Sequence, residues 1–139
     1  MFHCQIDYPP TINHYYVQNK YSNKKFINAD VKRYIELNKF KIMQKMQKVG
    51  AGQIEKPVDL YLWVYNPDNR IRDKDNILKC VFDTIKLAGI IKDDSQIKNL
   101  TVNDCGLKKG GACVLFFLLP HAPQALPDEY FNYYFTSAE

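Results

Sequence analysis

The sequence predicts one α+β (mixed α/β) domain, with two main helices packed on a small mixed sheet. Two stretches, one ending at Gly50 and one at Gly89, carry apolar residues at helical spacing. The other apolar runs are short, bounded by Pro, Gly or Asn, and suited to strands. In chain order the elements read strand, helix, strand, helix, strand, strand. The 139 residues fit one domain, and the 46% apolar and 24% charged fractions are those of a globular chain rather than a disordered one.

Phe2 to Tyr8 reads as the first strand, stopped by Pro9-Pro10, and the segment through Tyr21 reads as loop. Asn28 or Asp30 suits the cap of a helix running to about Val49, with Val31, Tyr34, Ile35, Ile42, Met46 and Val49 as its apolar face. Gly50-Ala51-Gly52 ends it. Val58 to Tyr65 is a mostly apolar strand, and Asn66-Pro67-Asp68-Asn69 a turn. The second helix is expected from about Asp73 to Leu87, with Ile77, Leu78, Val81, Phe82, Ile85 and Ala88 along one face and Gly89 at its end. Residues 96–105 and 112–119 read as strands. The turn Lys108-Lys109-Gly110-Gly111 predicts that they form a hairpin. The tail from Pro120 carries the aromatic cluster Tyr130 to Phe135, assigned to core or interface because no basic residue accompanies it.

The net charge is +4, and its distribution says more than its sum. Nine basic residues lie between Lys20 and Lys48, Lys24 and Lys25 among them, opposed only by Asp30 and Glu36. Such a run suits a polyanion, and equally suits a solvated helix face. Cys4, Cys80, Cys105 and Cys113 form no C-x-x-C pair, and His3, His14 and His121 are scattered, so a zinc knuckle is not expected. Reduced thiols and the lack of a secretory pattern predict a cytoplasmic protein. The longest apolar run, Ala112 to Leu119, is too short to span a bilayer.

The chemistry concentrates between Asp68 and Asp94, which hold six of the fifteen carboxylates: Asp68, Asp73, Asp75, Asp83, Asp93 and Asp94. Asp73 and Asp75 stand at the mouth of the second helix. Helix capping explains one such acid; two close together also suit Mg²⁺, which prefers oxygen ligands and takes one or two carboxylates plus waters and phosphate. Asp75, Lys79 and Asp83 follow one another at i,i+4, as two surface salt bridges or as a metal ligand beside a cation for phosphate. Asp93-Asp94 can fold back toward the helix start only if the following strand runs beside the strand ending at Tyr65. Ile77, Leu78 and Thr84 stand where an EF-hand needs a ligand, glycine and glutamate, so that reading fails. Ile77 and the charged turn also make a haloacid-dehalogenase-like nucleophile a poor reading.

Read together, these residues resemble the RusA-type Holliday junction resolvases (crossover junction endodeoxyribonucleases). The resemblance begins at Pro9-Pro10-Thr11-Ile12-Asn13-His14-Tyr15-Tyr16. It centres on Arg70-Ile71-Arg72-Asp73-Lys74-Asp75-Asn76-Ile77-Leu78-Lys79, Phe82-Asp83, and Ala88 to Ile97. These are similar to the family pattern R-D-x-D-N-x-x-K, D, G-x-x-x-D-D-x-x-I at matching spacing.

The resemblance implies a homodimeric endonuclease domain over 1–119, with 120–139 a tail of unassigned role. It implies Mg²⁺ or Mn²⁺ as cofactor and paired nicks in four-way DNA junctions, in recombination and repair. It makes Asp73, Asp75 and Asp94 the metal-binding acids and Lys79 the catalytic cation. Asp83, Asp93 and Asn76 come out as supporting residues. Arg70, Arg72, Lys74, Lys24 and Lys25 are expected on the DNA backbone. A nuclease for flaps or forks would use the same residues. A non-catalytic DNA-binding relative would not need Asp73, Asp75, Lys79 and Asp94 together.

Overall fold

The computed structural model describes residues 1–10, 16–18, 21–22 and 24–119. Within them run β1 (Phe2–Ile6), β2 (Tyr16–Gln18), β3 (Lys25–Ile27), α1 (Ala29–Val49), β4 (Val58–Asn66), α2 (Asp75–Ala88), a 3-10 turn (Asp94–Gln96), β5 (Ile97–Leu107) and β6 (Ala112–Leu118). The aromatic tail and residues 11–15 of the proline-led segment lie outside the described residues.

Four strands form one mixed sheet in the order β1-β6-β4-β5. β6 runs antiparallel to both β1 and β4, while β5 runs parallel to β4. β4 is buried nearly throughout because it has a strand on each side and side chains packed on both faces. Both helices pack on one face, where Ile42 of α1 and Ile77, Val81 and Ile85 of α2 meet Leu60, Leu62, Leu115 and Phe117. On the other face Trp63, Tyr65, Val114 and Phe116 cluster, the Trp63 and Phe116 rings 4.5 Å apart.

α1 is capped by the Asn28 side chain, which accepts from the Asp30 N–H, and stops at Gly50 in a left-handed conformation (φ 68°). Val49, expected on the apolar face, is exposed in this last turn. The expected apolar stripe of α2 is buried or half-buried at each of its positions. Burial pushes the Cys4, Cys80 and Cys113 thiols up to about 12, as suits small apolar core residues.

Two expectations are corrected. The stretch before Tyr21 contains β2, which pairs antiparallel with β3. More consequentially, β5 and β6 are not a hairpin, because β4 lies between them. The connection passes the end of β4, where the Lys108 N–H donates to the Asn66 carbonyl at 2.9 Å. Gly111 makes this passage possible. Its φ is 66°, and a Cβ there would lie 2.8 Å from the Tyr8 Cβ and 3.1 Å from the Tyr65 carbonyl. No helix among the described residues is long and apolar enough to cross a membrane.

Candidate active site

The parallel β4-α2-β5 unit decides where the acids fall. β4 ends at Asn66, the chain turns through Asp68 to Lys74, and α2 then runs back to Ala88 before β5 starts at Ile97. Asp73 and Asp75 therefore sit at one end of α2 and Asp94 beyond the other. The helix has 14 residues. At 1.5 Å per residue the two ends lie about 20 Å apart. β5 does run beside β4, but parallel to it, and a parallel crossover carries Asp93-Asp94 away from the helix start. Consistently, the described residues contain no cluster of three or more His, Cys, Asp or Glu able to hold a metal.

Asp73 and Asp75 are both exposed. Their carboxylates make no hydrogen bond or ion pair with the described residues, and no side chain caps α2. Helix capping therefore does not use Asp73, whose carbonyl instead accepts the Asn76 N–H at 3.2 Å. Asn76 is half-buried in the first turn. Two unengaged carboxylates two residues apart, in the positive field of a helix N-terminus, are hard oxygen donors of the kind Mg²⁺ takes.

The segment carrying them is held on both sides of Asp73. Arg72 forms a two-pronged pair with Asp68 (2.6 and 2.8 Å) and lies over the Tyr8 ring. Lys74 meets the Asp104 carboxylate at 2.9 Å and the Asn66 amide oxygen at 3.4 Å. Asp104 in turn accepts from Asn66 and from the Gly106 N–H, both at 2.9 Å. Asn66, Asp68, Arg70, Arg72, Lys74 and Asp104 line a polar cleft of about 360 Å³. Asp104, Asn66 and Tyr8 had no local sequence signal, because their partners are 8 to 64 residues away along the chain.

This alters the reading of the basic residues. The Arg72 and Lys74 side chains are 14% and 29% exposed and closely held, whereas that of Arg70 is 81% exposed and lies 3.6 Å from the Asp68 carboxylate. Arg70 is thus the best placed of the three to meet a phosphate. Lys24 is exposed, and Lys25 opens β3.

The hydrogen bonds from the Arg72 side chain and the Arg70 N–H hold the Asp68 carboxyl down at about 2. Its unfolded value is about 3.9, so its stabilising contribution is complete above that pH and is lost as pH falls toward 2. Accordingly, Asp68→Asn should destabilise the protein at pH 6, and the difference from wild type should shrink steadily below pH 4. Urea unfolding at both ends of that range measures it.

A line of ion pairs follows α2 toward Asp94. Lys79 lies 3.6 Å from Asp83, and Lys86 lies 3.8 Å from Asp83 and 3.7 Å from Asp94. Asp93 faces a different task. Its carboxylate accepts from the Ser95 N–H, while the Gln96 side chain accepts from the Asp93 N–H, a capping box on the 3-10 turn. These bonds lower the Asp93 carboxyl. Gln96 also donates to the Ile54 and Lys56 carbonyls, which fixes the turn on the loop before β4.

Comparison with known proteins shows the family. The family Endodeoxyribonuclease RusA matches residues 7–114. The crossover junction endodeoxyribonuclease rusA of Enterobacteria phage 82 is 31% identical over 110 residues, covering 79% of this chain and 88% of that protein. The RusA proteins of Shigella sonnei strain Ss046 and Escherichia coli strain K12 are 31% and 30% identical over 106 residues, each covering 76% of this chain and 84% of the relative. The matched span contains β4, α2, the 3-10 turn and β5, and with them every acid discussed above. The chain belongs to the RusA family of endodeoxyribonucleases.

Proposed function

We propose that this protein resolves four-way DNA junctions by paired, Mg²⁺-dependent nicks, acting as a homodimer in which two chains complete each site. The observation that carries this is the separation of Asp73 and Asp75 from Asp94 along α2. A second copy related by a two-fold axis, with its α2 antiparallel to the first, brings its Asp94 to the Asp73–Asp75 end. The same operation completes the other site, so a symmetric dimer has two, which suits a junction of approximate two-fold symmetry and paired cuts. The junction substrate also follows the names of the relatives above.

Asp73 and Asp75, with the partner subunit's Asp94, would hold the cation; Mn²⁺ suits the same oxygen donors. Bound there, it supplies a more acidic water and a charge sink for the attacked phosphate. The chain's own part is positioning and charge. The clamps on Arg72 and Lys74 fix the backbone of Asp73, and Lys79, one turn from Asp75, places a cation for the charge that builds on the phosphate. Arg70 and the basic residues of α1 hold the DNA backbone without reading sequence. Catalysis then takes place on DNA in the cytoplasm.

The test is a panel of synthetic DNAs with and without Mg²⁺. Symmetric nicks in the four-way junction that vanish in EDTA are expected. Equal cutting in EDTA would overturn the metal reading, and strong preference for a flap or fork would replace the junction as substrate.

A further inference from the structure

We propose that Ile71 and Leu107 form an apolar wedge that reads the DNA branch point, entering between base pairs where the strands of a junction exchange partners. This rests on the reading of the protein as a junction resolvase.

Ile71 interrupts the cationic run between Arg70 and Arg72 with a wholly exposed apolar side chain. A lone exposed isoleucine is ordinary on a protein surface. This one is held out on a fixed turn. The Arg70 N–H, just before it, donates to the Asp68 carboxylate at 2.9 Å. The Arg72 guanidinium, just after it, donates to both oxygens of the same carboxylate at 2.6 and 2.8 Å. Ile71 is thus the tip of a turn stapled on both sides to one acid. Its β-branched side chain has few rotamers, so it loses little freedom when it is buried against a ligand.

A second apolar group reaches the same cleft from another element. Leu107, the last residue of β5, aligns with Asn66, where β4 ends and the turn toward Ile71 departs. Leu107 is 58% exposed, and with Ile71 it lines the cleft that Arg70, Arg72 and Lys74 also line. Arg72 and Lys74 bracket Asp73, so the cleft adjoins the candidate metal site. Apolar side chains among cations suit a nucleic acid, in which phosphates and base faces lie side by side.

The pair supplies what the cations cannot. A phosphate contact from Arg70 meets the same backbone in a linear duplex and in a junction, so it gives affinity without telling them apart. An apolar wedge does tell them apart. In a continuous duplex it must first unstack two base pairs, which costs free energy; at a branch point the strands change partners and the stack is already interrupted. Ile71 stands two residues before Asp73. A wedge there also sets the cut at a fixed, short distance from the branch point.

Binding in EDTA and base fluorescence test the wedge. The DNAs are a four-way junction and a linear duplex of the same sequence, each also made with 2-aminopurine at the position that flanks the branch point. Wild type should raise the 2-aminopurine fluorescence in the junction, as an unstacked base does, and leave it unchanged in the duplex. Ile71→Ala should lose that rise and lower the junction-over-duplex preference by about tenfold, the worth of one buried apolar side chain, with duplex affinity within about twofold of wild type. Leu107→Ala should act in the same direction, and Ile71→Phe should restore both readouts. Both side chains lie outside the core, and the fluorescence of wild type stands even if a variant fails to fold. No fluorescence rise with wild type, or junction and duplex affinities that fall together in Ile71→Ala, overturns the wedge. A changed sedimenting mass in Ile71→Ala also overturns it, because Ile71 would then be a contact between copies. A wild type that cuts junctions while Ile71→Ala keeps the same preference sinks the wedge alone; a wild type that cuts no branched DNA with any divalent metal sinks the resolvase reading and the wedge with it.

Discussion

Asp73→Asn should abolish junction cleavage, by at least about 10³-fold, while leaving junction binding in EDTA within about threefold of wild type. The large effect follows from where Asp73 sits. Its backbone is held between the Arg72–Asp68 and Lys74–Asp104 clamps, and its carboxylate is engaged by no described residue. Asn preserves shape but removes the charge a divalent cation needs. Stability should hardly change, because the carboxylate caps nothing and pairs with nothing described. Binding should shift slightly toward tighter, since one negative charge is removed from the surface proposed to face the phosphates. Gel-shift titration beside single-turnover cleavage separates the two. Loss of binding in parallel with cleavage would place Asp73 in DNA recognition instead.

Much of this arrangement was legible in local sequence. Asn28 and Gly50 mark the ends of α1 because capping and left-handed termination are local chemistry. The α2 stripe was readable because 3.6-residue spacing depends only on neighbours along the chain. β2 and β3 were not legible, since three residues are too few to show alternation. The Lys108–Gly111 turn looks the same whether the next strand pairs with its predecessor or passes over one. Only the partners of β4 distinguish these cases, and they are set by long-range packing.

The candidate site was legible as a composition and not as a place. Asp73, Asp75, Lys79 and Asp94 stand out by residue type and spacing. Whether they meet depends on the direction of β5, and a helix between two paired strands favours the parallel crossover that separates them. Arg72 and Lys74 read as DNA contacts because their partners could not be foreseen. Asp104 lies 30 residues after Lys74, and Asp68 reads equally well as a turn residue.

The shared site is tested most directly by mixing two inactive chains. Asp73→Asn and Asp94→Asn should each be inactive alone. A heterodimer of the two, isolated through different tags, has one site carrying both substitutions and one built from the intact Asp73 and Asp75 of one chain and the intact Asp94 of the other. It should nick at about half the wild-type rate per dimer, in one strand rather than as paired cuts. A purified heterodimer as inactive as its parents would mean that each site lies within a single chain, and would contradict the account.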